Sequence, residues 1–199
     1  MLSKIAICNA ALAKLGERFI IDLGDESKQA RALNEAFPRI RDSMLRSNRW
    51  SFAMTRASLS ALNAAPVFEY PLQYQIPTDC LRLDYIGDFF VGLTLGDYRN
   101  QSASEYKIEG RKILTDLKAP LHIRYVRQEE DTTIYDPLFD EALSCKLAVE
   151  LANTLTQSDN LKNLAMQEFK AVMMSAIRMN AIEKAPEPLA SETWEMARI

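Results

Sequence analysis

Apolar and polar residues follow three successive rhythms along this chain. From Ser3 to about Arg49 apolar positions recur every three or four residues, the period of a helix with one buried stripe. From about Trp50 to Arg127 the rhythm shortens to alternation, the period of a strand. From Asp136 to about Lys184 the helical period returns. The first helix is expected to start at Ser3, a favoured N-cap residue, to carry Ile5, Cys8, Leu12 and Leu15 on one face, and to stop at Gly16. After the turn Asp22-Leu23-Gly24-Asp25, a second helix capped by Asp25 or Ser27 carries Ala30, Leu33, Phe37, Ile40, Met44 and Leu45. Pro38 falls inside that stripe and predicts a bend, since the pattern continues across it.

Within the middle region, Leu121 to Arg127 alternates as a half-buried strand does, and Leu81 to Ile86 does the same. Tyr106 to Leu114 predicts a hairpin turning near Glu109-Gly110. Phe68-Glu69-Tyr70 and Tyr74-Gln75-Ile76 predict short strands broken by Pro71 and Pro77, suited to edges and corners. Asp136, Pro137, Asp140 and Glu141 form the clearest helix start, followed by the stripe Phe139, Ala142, Leu143, Leu147, Leu151 and Leu155. A fourth helix begins after Ser158-Asp159 and runs through Leu161, Leu164, Ala165, Phe169, Val172, Met173, Ala176 and Ile177.

The pattern therefore predicts an α+β fold of about four helices, with a small antiparallel β domain inserted between helices two and three and an extended C-terminal tail. Residues 1–49 and 136–185 would form the helical domain, 50–135 the inserted β domain and 186–199 the tail.

Composition narrows the chemistry. The chain has 199 residues, with 48% hydrophobic and 26% charged, an ordinary globular balance. A net charge of −3 is not that of a whole-chain nucleic-acid binder. No stretch reaches the roughly 18 consecutive apolar residues of a membrane span, and the opening apolar run lacks a signal-peptide cleavage site. Cys8, Cys80 and Cys145 lie far apart and read as buried free thiols of a reducing cytoplasm, with no metal-ligand spacing.

Catalytic candidates are few. The single histidine, His122, sits in an alternating strand and should point away from the core. A hydrolase using His122 with one of the thiols is the enzymatic alternative, although nothing in the spacing selects a thiol. The run Glu129-Glu130-Asp131 reads as a solvated linker and lacks the ligand spacing of a cation site. No catalytic residue, cofactor or metal is expected.

Interaction candidates are richer. Arg31, Arg39, Arg41, Arg46, Arg49 and Arg56 crowd six guanidiniums into a short span, suited to a solvated face, a subunit contact or DNA. A DNA-binding regulator using the arginine-rich second helix is thus the alternative from another class. Met166, Met173, Met174 and Met179 enrich the fourth helix, whose apolar residues spill beyond one stripe, as on a helix covered by a neighbour. Pro186, Pro188, Leu189, Trp194, Met196 and Ile199 put a proline-stiffened tail before a tryptophan, the composition of a docking segment.

Several stretches, taken in order, resemble the tail tubular protein A group of podophages, the head-to-tail adaptors. These are IAICNAALAKLG (Ile5 to Gly16), Gly24 to Ala53 with its Trp50-Ser51-Phe52 element, Tyr74-Gln75-Ile76-Pro77-Thr78-Asp79, and the apolar helix Phe139 to Leu155. The resemblance implies a structural virion protein that forms a ring, commonly of twelve copies, beneath the portal protein with tail nozzle protein below. It implies self-association, passage of DNA through the ring without sequence-specific binding, no membrane, and residence in the virion neck after assembly in the host cytoplasm. It also implies that the C-terminal segment reaches the portal or an adjacent subunit. Arg31, Arg39, Arg41, Arg46, Met173 and Met174 are then the candidates for subunit contacts.

Overall fold

The computed structural model describes residues 2–87, 89, 90 and 106–183; the predicted docking tail, Pro186 to Ile199, lies outside them. The fold is α+β, with helices α1 (Lys4–Lys14), α2 (Lys28–Ser47), α3 (Pro137–Thr156) and α4 (Asp159–Ile182). Between α2 and α3 come strands β1 (Met54–Leu59), β2 (Leu72–Gln75), β3 (Cys80–Ile86), β4 (Phe89–Phe90), β5 (Tyr106–Glu109), β6 (Lys112–Thr115) and β7 (Leu121–Arg127).

Local chemistry sets the helix ends. Ser3 Oγ accepts from Ala6 N at 3.2 Å, and at the other end Gly16 adopts φ 67°. There the N–H groups of Gly16 and Glu17 donate to Ala13 O (3.1 Å) and Leu12 O (3.0 Å), the paired bonds of a Schellman stop. Of the two candidate caps for α2, Ser27 is the one used, its Oγ accepting from Ala30 N at 3.1 Å. The helix runs unbroken through Pro38, because Pro38 and Asn34 face solvent and the carbonyl that the missing N–H leaves free can be hydrated. Asp136 Oδ1 accepts from Leu138 N (2.8 Å) and Phe139 N (3.3 Å), with Pro137 opening α3.

α3 packs against α1, α2 and α4. It is buried nearly all round, including Phe139, Leu143, Leu147, Val149 and Leu151, as a central helix must be. The helical core takes in the whole predicted α2 stripe and extends into the β region, with Trp50, Ala53 and Val126 as members.

Two antiparallel sheets follow from the alternating segments, one in the order β1-β7-β3-β4 and one in the order β2-β6-β5. Leu121, Ile123 and Tyr125 of β7 share a second core with Tyr74, Ile76, Leu83, Ile86 and Ile113. The predicted hairpin is β5–β6, turning on Gly110 (φ 52°) and Arg111 (φ 61°).

Three expectations need correction. Phe68 to Tyr70 is not a strand: Glu69 has φ 75° and Phe68 is 79% exposed. Register shifts between Cys80 and Arg82 and between Leu83 and Tyr85 break the alternation of β3, and Asp84 is buried at 1% exposure. Trp50 does not open a strand; it precedes a 3-10 turn, Ser51–Ala53, and is fully buried.

Candidate functional site

The junction between the helices and the larger sheet is built from aromatic rings. Phe139 meets Trp50 edge-on at 4.9 Å between centroids and Phe52 at 5.1 Å, and Tyr135 closes on Phe139 at 5.1 Å. Asn180, near the end of α4, locks the connecting chain. Its Oδ1 accepts from Ser51 N and Ser51 Oγ, each at 2.9 Å, and its Nδ2 donates to Arg49 O at 2.8 Å. The α2–β1 link and α4 are therefore one rigid unit.

Beside this junction lies a concentration of cations around one buried carboxylate. Asp84 receives Arg49 Nε at 2.7 Å on Oδ1 and Arg124 Nε at 2.6 Å on Oδ2. The Arg124 guanidinium also lies 4.3 Å from the centroid of Tyr85. Arg46 donates to the carbonyl of Leu81. Burial, together with the nearby Arg49 and Arg46, pushes the Arg82 guanidinium below its ordinary value. Among the described residues, this region thus sets Arg46, Arg49, Arg82 and Arg124 near one buried carboxylate although the chain as a whole is acidic. The arginine count along the sequence singled out Arg46 and Arg49 but missed Arg82, Arg124 and Asp84. Asp84 stands in a nominally outward slot of an alternating strand, and it is buried there beside Arg49 and Arg124, which alternation does not predict.

The predicted subunit-contact residues separate into different environments. Arg31 is exposed beside the acidic turn of Asp25 and Glu26. Arg39 is exposed and pairs with Glu150 at 2.6 Å. Arg41 is buried, binding Asp42 at 2.8 Å and Glu130 at 3.3 Å, so its fork is engaged within the chain. These side chains form no continuous basic stripe along α2. Met173 is half-buried against the helical core, whereas Met174 is 72% exposed.

Met174 belongs to an apolar surface on α4. With 100° per residue, Leu164, Ala171, Met174 and Ile182 fall on the side opposite Ala165, Phe169 and Ala176. Leu164 is 61% and Ile182 is 64% exposed, with Ile177 and Met179 flanking them. These large apolar side chains give α4 an exposed apolar face.

The polar candidates for catalysis do not converge. His122 is exposed on β7, as its alternation predicts. Cys80 lies opposite Arg127, five positions from His122 along β7, a separation of about 17 Å at strand rise. Cys8 and Cys145 lie within helices α1 and α3, and burial raises all three thiols, Cys8 and Cys80 to about 11. The Glu129 to Asp131 run is not a plain solvated linker: Glu129 is buried, paired with Arg127, and its backbone carbonyl accepts from Tyr135 Oη at 2.6 Å. Among the described residues no cluster of three or more His, Cys, Asp or Glu is placed to hold a metal ion, and no helix is long and apolar enough to cross a membrane. Set against known proteins, the chain matches no family model and no curated relative.

Proposed function

We propose that this chain is a non-enzymatic assembly subunit, a head-to-tail adaptor that closes into a ring between a portal and a tail nozzle. The observation that carries the reading is the outward apolar face of α4, where Leu164, Met174 and Ile182 stand in solvent although α4 is firmly packed on its other side. Covering each such side chain is worth about 1.5–3 kcal/mol, enough for a few of them to drive association. A ring subunit needs two unlike patches that meet around a closed rotation. A rigid helical body offers one on α4, and α2 offers polar groups such as exposed Arg31. The helix–sheet–helix order agrees with the resemblance set out above. DNA would pass through the ring without being read.

The test is negative-stain imaging of the protein alone and mixed with a portal ring. Rings, or added density stacked on the portal, are the expected result, and the double substitution Leu164→Glu with Met174→Glu should abolish them while leaving the melting transition in place. Removing residues 186–199 should weaken portal binding without unfolding the body. Monomers that never bind the portal would sink the reading.

A further inference from the structure

The larger sheet has one face packed on the smaller sheet. Its other face meets the helical core at one end, where Met54 and Val126 are packed into that core. Beyond that contact Arg56, Ser58 and His122 are exposed on the same face, and Arg124 is half-buried. Side chains two apart on a strand share a face, so Arg56 and Ser58 of β1 follow Met54, and Arg124 and His122 of β7 precede Val126. The register sets Arg56 directly opposite Arg124 and Ser58 directly opposite His122. These four line a cavity of about 710 Å³ together with Tyr85 and Gly87, within the usual range of about 300–1,000 Å³ for small-ligand pockets.

Two arginines facing each other across an antiparallel pair repel, an arrangement that sheets ordinarily avoid. Here one of them is fastened: Arg124 is held by Asp84 and by the ring of Tyr85. The other, Arg56, is exposed and has no hydrogen-bond or ion-pair partner among the described residues. Among the described residues, Asp84 is the carboxylate paired here, and it serves two cations, Arg49 and Arg124. No carboxylate is among the described residues that line the cavity, and their donors sit at the corners of a rectangle about 5 Å across the strands and 7 Å along them.

We propose that this cavity binds a phosphate group, carried by a free nucleotide or by a nucleic-acid backbone. A planar carboxylate is satisfied by a single arginine fork. A tetrahedral phosphate offers oxygens in several directions and so engages Arg56, Arg124, Ser58 and His122 together. The site owes nothing to ring closure and exists in a monomer as in an assembly.

The experiment is calorimetric titration of the full chain at low ionic strength with inorganic phosphate, a nucleoside monophosphate, a short single-stranded oligonucleotide, its duplex, and an oligoglutamate peptide. Phosphate-bearing probes should bind, and Arg56→Gln, on an exposed side chain, should weaken them about tenfold. Arg39→Gln, on α2 where Arg39 is engaged with Glu150 of α3, should leave binding unchanged. Tightest binding to the oligonucleotides, with a log–log salt slope that falls by about 0.7–0.9 in Arg56→Gln, assigns the phosphate to a nucleic-acid backbone. Binding of the monophosphate with no gain from a longer strand assigns it to a free nucleotide. The proposal is overturned if no phosphate probe binds, if oligoglutamate binds as well as they do, or if a folded Arg56→Gln protein binds as the parent does.

Discussion

Trp50 is the side chain on which the junction between helices and sheet depends, and its replacement can be worked out from its contacts. It is fully buried, its Nε1 donates to Met44 O at 2.9 Å, and its ring meets Phe139 at 4.9 Å. Truncating a buried tryptophan to alanine costs about 3–5 kcal/mol through lost transfer energy and the cavity left behind. The lost hydrogen bond adds little more, because Met44 O also accepts from Ser47 Oγ at 2.7 Å and is not orphaned. Trp50→Ala should therefore lose about 4 kcal/mol, a large share of the roughly 5–15 kcal/mol that holds a domain folded. Trp50→Phe keeps most of the ring packing and should lose about 1–2 kcal/mol. Denaturant melts report both values from the shift in midpoint at constant slope. A Trp50→Ala protein within about 1 kcal/mol of the parent would refute the reasoning, and so would equal losses in the two variants.

Other predictions follow from the buried polar groups. Asp140 is 1% exposed, with Oδ1 unpartnered and Oδ2 accepting only from Leu2 N at 3.2 Å, and burial raises its carboxyl above the ordinary range. A raised folded-state value favours folding below the unfolded value of about 3.9, and that advantage is lost as pH rises through the folded value. Asp140→Asn should thus raise the melting midpoint at neutral pH, with the gain shrinking toward pH 4; a gain independent of pH would count against this. The three thiols, raised by burial, should resist a thiol reagent in the native protein and label fully on unfolding. Fast labelling of any one in the folded state would contradict their placement. Asp84→Asn leaves Arg49 and Arg124 without their carboxylate and should cost about 3 kcal/mol, the low end for a broken buried pair because both arginines are partly solvated. Arg124→Gln should cost less, since Arg49 still neutralises Asp84, and the two melts compared would show it.

Much of the fold could be read from the chain because local signals and tertiary packing agree. The α2 stripe from Ala30 to Leu45 is buried as its period requires, and Asp136-Pro137 starts α3 where cap and ring geometry place it. The readings that failed did so where tertiary context overrides the local rule. Phe68-Glu69-Tyr70 has strand-forming residues, yet Glu69 takes a left-handed conformation and Phe68 finds no core to enter. In β3 the register shifts interrupt the alternation, and Asp84 is buried by pairing with Arg49 and Arg124 from other parts of the chain, which no alternation rule contains. The tilt of α4 was half legible: its apolar excess was plain, but which residues face outward depends on how α3 meets it.

The arginines show the same limit in its sharpest form. Six of them between Arg31 and Arg56 suggest one basic surface if the chain is read as a line. Folding disperses that set: Arg41 goes into the body, Arg39 to Glu150, Arg49 to Asp84, and Arg46 to a backbone carbonyl. Arg56, which closes the run, is exposed on a sheet face where its neighbours Arg124 and His122 arrive from a strand far along the sequence. A positive site on this protein is therefore a property of strand register, not of local composition. An acidic chain can carry such a site because, among the described residues, Asp84 is the carboxylate fixed among these cations and is shared between two of them.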